Sequence, residues 1–222
     1  MFRYLLLSFN IIIFTPLFSI LIVLTGIFDG KKNKTGYLAR LWANILLKFS
    51  NIKYSVKGIN KLNFKKKHII ISNHQSVIDI LIAFSIFPTP ISFFAKKELF
   101  SIPLFGFAMK SAGMIPVDRY NKEKSKESVD IAVSKMHSTN LSFINYPEGT
   151  RMPFGKIGKF KKGGFILAIK SGLPIIPLTI NYNKSLIRVV VDKPIDSLNY
   201  ELSTKELLID KTRGAILTNI KT

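Results

Sequence analysis

Tyr4 to Phe28 runs for 25 residues without a charged side chain and consists mostly of Leu, Ile and Phe. As a helix it extends about 37 Å, enough to cross the hydrocarbon core of a bilayer. A removed leader has a shorter apolar core and a small-residue cleavage site, whereas LTGIFDGKKNK follows here, so a retained anchor is expected. Pro16 lies mid-run and predicts a bend or break, which sets a kinked or re-entrant insertion beside a straight span. Arg3 flanks one end and Lys31, Lys32 and Lys34 the other, a bias that places the remaining chain at the cytoplasmic face of the inner membrane. Tyr37 to Phe49 then spaces Leu38, Leu41, Trp42, Ile45 and Leu46 as one helical face opposite Arg40, Asn44 and Lys48. It reads either as an interfacial helix with Trp42 at headgroup depth or as a helix packed on the core.

From Lys53 onward, short β-branched runs alternate with helical ones, the pattern of an α/β domain. The expected strands are Tyr54–Val56, His68–Ser72, Ile91–Ala95, Met114–Val117, Leu141–Tyr146, Ile175–Asn181 and Leu186–Val191. The expected helices are Val77–Phe87, Pro103–Ser111, Lys124–His137, Phe165–Ser171 stopped by Gly172, and Thr204–Asn219 opened by a Ser203–Glu206 capping box. The predicted fold is a mixed, largely parallel sheet flanked by helices and preceded by a membrane-embedded helical pair. Residues 1–52 form the anchor and interfacial helix, and residues 53–222 the catalytic domain.

The chain has no cysteine, which removes disulfides, thiolate nucleophiles and Cys-based metal sites. Its 33 Lys and Arg against 13 Asp and Glu give a formal net charge of +20, suited to anionic lipid, phosphorylated substrates, acidic carrier proteins or nucleic acid. No nucleic-acid-binding module is recognisable, and the basic residues gather around a glycine turn instead, so no nucleic-acid partner is expected.

Within ISNHQSVIDI, His74 and Asp79 stand in an otherwise apolar stretch. Side chains five apart on one continuous helix point about 140° away from each other. They meet only if His74 precedes the helix, on the turn leaving strand 68–72, where α/β folds place their sites. Asp79 would then hold one ring nitrogen while the other takes a proton from a hydroxyl. Ser76 and Asp79 also fit a capping box, which explains the aspartate without chemistry; the two readings are compatible. The second constellation is YPEGTRMPFGKIGKFKKGGF. Gly149 lets the backbone turn its N–H groups toward an anion, and Arg151 offers a planar fork for phosphate. Six basic residues and one acid lie between Glu148 and Lys170, and for the lysines a solvated basic loop suffices.

Four pieces in order, NHQSVID, GMIPVDR, YPEGTR and GLPIIPL, together resemble the blocks of the 1-acyl-sn-glycerol-3-phosphate acyltransferases within the glycerolipid acyltransferase group. FFAKKELFSIPLFG and FKKGGFILA between them are similar as well, and the likeness covers about Lys53 to Asn181. The departures are Tyr146 for the usual Phe, Val117 for a common Ile, and no Ser after Arg151. The resemblance implies transfer of an acyl group from acyl-CoA or acyl carrier protein to the hydroxyl of lysophosphatidic acid at an anionic membrane surface, with no cofactor and no metal. It makes His74 the general base, Asp79 its orienting partner, and Lys96 (or its neighbour Lys97) a charge stabiliser near the carbonyl. Asn73, Arg119, Glu148, Gly149, Thr150 and Arg151 become the substrate-binding set. The rivals are an acyltransferase for another lysolipid or glycerol 3-phosphate, a serine hydrolase using Ser76 or another serine with His74, and a membrane-tethered polyanion-binding protein. No G-x-S-x-G elbow occurs, which counts against the hydrolase.

Overall fold

The structure is a computed structural model describing residues 2–118, 121–183 and 186–220. In chain order the helices and strands are α1 (Phe2–Gly26), α2 (Asn33–Phe49), β1 (Tyr54–Lys57), β2 (Ile69–Ser72), α3 (Ile78–Ile86), β3 (Ile91–Lys96), α4 (Phe105–Ser111), β4 (Ile115–Val117), α5 (Lys122–Ser138), β5 (Ser142–Asn145), α6 (Gly163–Ser171), β6 (Ile175–Tyr182), β7 (Ile187–Val191) and α7 (Lys205–Ile220). The elements form two compact units: residues 1–53 with 80–141, and residues 54–79 with 142–222.

In the first unit, α1 is continuous through Pro16, so the predicted break does not occur. Proline removes a single N–H from the ladder, and the turns on either side carry the helix across that gap. Its length and composition are sufficient to cross a membrane. Phe9, Ile12 and Leu24 on its surface are exposed apolar side chains. α2 starts four residues before the predicted Tyr37 because Asp29 caps it, accepting from the Asn33 N–H at 3.1 Å and the Thr35 N–H at 2.7 Å. Burial alone would raise the Asp29 pKa, but these N–H groups and the Thr35 hydroxyl hold it below the ordinary carboxylate value. The helix buries Ala39, Ala43, Leu46 and Leu47 while exposing Tyr37 and Phe49. Trp42 donates its indole N–H to Thr15 of α1 at 3.2 Å, so that group is spent on helix packing rather than on a headgroup. β3 and β4 pair in parallel, and Asn121 caps α5 by accepting from the N–H groups of Glu123 and Lys124.

The second unit carries strands in the order β1-β7-β6-β2-β5. β2 lies parallel between β5 and β6, while β7 runs antiparallel to β6 and parallel to β1, giving the mixed, largely parallel sheet that was expected. Ile69, Ile70 and Ile71 are wholly buried in the central strand. Each contributes roughly 1.5–3 kcal/mol relative to exposure. Gly172 stops α6 at φ +65°, as its position implied. Ser203 does not build the predicted capping box, because α7 begins at Lys205 and places Thr204 at the flanking position; the Ser203 hydroxyl donates to Glu201 at 3.3 Å.

Candidate active site

β2, β5 and β6 are mutually parallel, so their carboxyl ends share one edge of the sheet. Asn73 leaves β2 fully buried, donating to the Ile180 carbonyl and accepting from the Ile180 N–H, both at 2.9 Å. Its amide continues the β2–β6 ladder past the last strand residue. The next residue, His74, is clamped through its backbone: its N–H donates to Glu148 Oε2 at 2.7 Å, and its carbonyl accepts from the Met152 N–H at 2.8 Å. The histidine and glycine-turn motifs, 74 residues apart in sequence, are thus joined by two hydrogen bonds.

The imidazole Nδ1 lies 2.9 Å from Asp79 Oδ2. A carboxylate only accepts, so Nδ1 carries the hydrogen, and in the neutral ring Nε2 is the nitrogen able to take a proton. Nε2 has no partner among the described residues, and the side chain keeps 14% exposure. Asp79, with no exposed surface, also accepts from the N–H groups of Gln75 at 2.6 Å and Ser76 at 2.8 Å, so it caps α3 and orients the imidazole together. Ser76 Oγ accepts from the Ile78 N–H at 3.2 Å and makes no bond to the imidazole. A serine nucleophile primed by His74 has no geometric basis here.

Two tyrosines were not anticipated. Tyr182, at the carboxyl end of β6, donates its hydroxyl to the second Asp79 oxygen, Oδ1. The Tyr146 ring stacks on the imidazole at 4.3 Å and 28°, with a buried hydroxyl that has no hydrogen-bond partner. Burial, with the Asp79 charge second, pushes both phenols above their ordinary ionisation. A buried carboxylate with one oxygen unaccounted for was the signal that a donor such as Tyr182 had to exist.

The substrate-binding set divides. Glu148 is buried and committed to the backbone, accepting from the N–H groups of His74 at 2.7 Å and Gly158 at 2.8 Å. Burial raises its pKa even though both N–H groups act to lower it. Thr150 and Arg151 are exposed on the turn. Gly149 sits at φ +72°, and an added Cβ would lie 2.7 Å from Lys161 Nζ. Gly149→Ala is therefore expected to destabilise the chain by about 1–2 kcal/mol through left-handed strain and to displace Lys161. A thermal melt of the purified chain measures this, and an unchanged midpoint would contradict it. In the other unit, Lys96 ends β3 with its ammonium 3.7 Å from Glu98. Lys97 is tied to Asp118 at 2.6 Å, a bond that raises its pKa. Arg119 lies outside the described residues.

An imidazole held by a carboxylate at the ends of parallel strands is an arrangement that can move a proton. A sequence profile of the acyltransferase family matches residues 53–181, and the chain belongs to that family. A chloroplastic 1-acyl-sn-glycerol-3-phosphate acyltransferase of Brassica napus is 30% identical over 217 residues, covering 89% of this chain and 61% of the relative. A 1-acyl-sn-glycerol-3-phosphate acyltransferase of Pseudomonas aeruginosa is 32% identical over 132 residues, or 60% of this chain and 51% of the relative. The chain spans between about half and three-fifths of the length of the curated relatives it matches. The crystal structure of the 1-acyl-sn-glycerophosphate acyltransferase PlsC from Thermotoga maritima superposes with a TM-score of 0.79 over 99% of this chain and 95% of that one, at 20% identity, and so shares the fold.

Proposed function

We propose that this chain transfers a fatty acyl group from a thioester, acyl-CoA or acyl carrier protein, to the free hydroxyl of 1-acyl-glycerol-3-phosphate, yielding phosphatidic acid. The observation that carries the reading is the imidazole whose Nδ1 is held by Asp79 while Nε2 is the nitrogen able to take a proton, in a chain of the acyltransferase family. Nε2 takes the hydroxyl proton as the oxygen attacks the thioester carbonyl. The tetrahedral oxyanion collapses, the carbon–sulfur bond breaks, and the thiolate leaves with the proton returned by His74. With no cysteine in the chain, direct transfer is simpler than a covalent acyl-enzyme. Arg151 and Arg119 hold the acceptor's phosphate, turning binding into orientation of the hydroxyl. Lys96, or its neighbour Lys97, stabilises charge near the carbonyl. Glu148 and Asn73 act through the backbone they bind. Residues 1–52 seat the enzyme in the membrane at its cytoplasmic face, and residues 53–222 carry catalysis.

The test is an assay of the purified full chain with each donor and a panel of lysolipids and glycerol 3-phosphate, following thiol release and acylated product together. Thiol release without acylation of any acceptor would overturn the reading. Arg151→Ala is expected to raise the acceptor KM about 10-fold or more with little change in kcat, the loss of one charge-assisted phosphate contact. A lowered kcat at an unchanged acceptor KM would remove Arg151 from phosphate binding.

A further inference from the structure

We infer that Tyr182 is a positioning residue for the reaction: its hydroxyl holds the second oxygen of the Asp79 carboxylate and shares its charge, keeping the first oxygen on His74 Nδ1 and tuning the imidazole as a proton acceptor. The inference deepens the proposed function and rests on His74 being the base.

Asp79 Oδ2 is crowded with donors: His74 Nδ1 at 2.9 Å and the N–H groups of Gln75 at 2.6 Å and Ser76 at 2.8 Å. Oδ1 faces the Tyr182 hydroxyl. Without that hydroxyl, the second oxygen of a fully buried carboxylate would lose its donor, leaving the three donors on Oδ2 to hold the group alone. Tyr182 is itself held firmly. Its backbone pairs with Ile187 of β7, and its ring lies 4.8 Å from that of Phe154. Asp79, Tyr146 and the Ser76 hydroxyl face the phenol, while His74 and Glu148 complete the titratable groups around the carboxylate. Burial and the Asp79 charge keep the phenol protonated, so toward Asp79 it acts only as a donor.

A donor on Oδ1 draws charge from the carboxylate and weakens its hold on an imidazolium. Removing the donor makes Asp79 the stronger base, so the pKa of His74 rises and a larger fraction of the enzyme carries a protonated, inactive base at neutral pH. A tyrosine that merely packed against the site would leave that equilibrium alone.

The experiment uses the full chain in detergent or nanodiscs with isotopically labelled histidine, so that the titration of each of the three histidines is read by NMR. His74→Gln assigns the resonance. In Tyr182→Phe, which keeps the ring against Phe154, the His74 midpoint is expected to move up by about half a unit to one unit. kcat at neutral pH is expected to fall a few-fold at an unchanged acceptor KM, with the acid limb of the pH–rate profile displaced upward alongside the NMR midpoint. A fluorotyrosine at position 182, a stronger donor, is expected to shift the midpoint down, and it supplies the reading if the Phe variant does not fold. A midpoint unmoved by both replacements overturns the inference whatever kcat does. A shifted midpoint in a chain that acylates no acceptor supports the positioning role and refutes the acyl-transfer reading, so the two failures are separable.

Discussion

His74→Ala is expected to lower acyl transfer by about three orders of magnitude, within the range that a positioned general base contributes. The fold is expected to survive, with a change in stability within about 1 kcal/mol. The imidazole is partly exposed, and its removal leaves the buried Asp79 carboxylate with the N–H groups of Gln75 and Ser76 and the hydroxyl of Tyr182. The lost stack on Tyr146 is the principal packing cost. Turnover measured beside a thermal melt of the same preparation checks both halves. Near-normal turnover would end the general-base mechanism, and a collapsed melt would show that His74 is first a structural residue.

Asp79 is expected to be the more damaging site, because there the two effects coincide. Asp79→Ala strands four donors around a position with no exposed surface: His74 Nδ1, two backbone N–H groups and the Tyr182 hydroxyl. The expected destabilisation is about 3–5 kcal/mol, the desolvation cost of several hydrogen-bond donors left without an acceptor. Asp79→Asn keeps the shape but turns an NH₂ toward groups that themselves donate, and it frees the imidazole to adopt the wrong tautomer. For that variant a loss of about 10³-fold or more in kcat is expected, with a smaller stability loss of about 1–3 kcal/mol. Thermal melts and turnover of the two variants give the comparison. Equal activity in Asp79→Asn and the unaltered chain would contradict the orienting role.

These expectations rest on features that differ in how far they could be read in advance. The seven strands and the helices that alternate with them were visible because a buried strand such as Ile69–Ser72 needs an uninterrupted apolar, β-branched run. The start of α2 was not visible, since the cap on that helix is Asp29, outside the apolar period. Of the bend or break expected at Pro16, the break does not occur, because a propensity counts the lost N–H but not the hydrogen bonds that surround it. At the site, the likeness of YPEGTR to a phosphate-binding block grouped Glu148 with Arg151. In space their side chains do different work: one braces the His74 backbone from a buried position, while the other stands on the exposed turn.

The amino-acid order by itself determined the α/β class and the position of His74 on a strand-to-helix turn, and it left a partnership with Asp79 open beside a capping role for the aspartate. Each follows from local rules: apolar periodicity, capping and the five-residue spacing that demands a turn. Only the tertiary structure decided which groups complete the pair. Glu148, Tyr146 and Tyr182 lie roughly 70 to 110 residues further along the chain, and they reach His74 and Asp79 because β5 and β6 flank β2 in parallel register and end at the same edge. Strand order is set by how buried faces pack across the whole sheet, and no local window of sequence contains that sum.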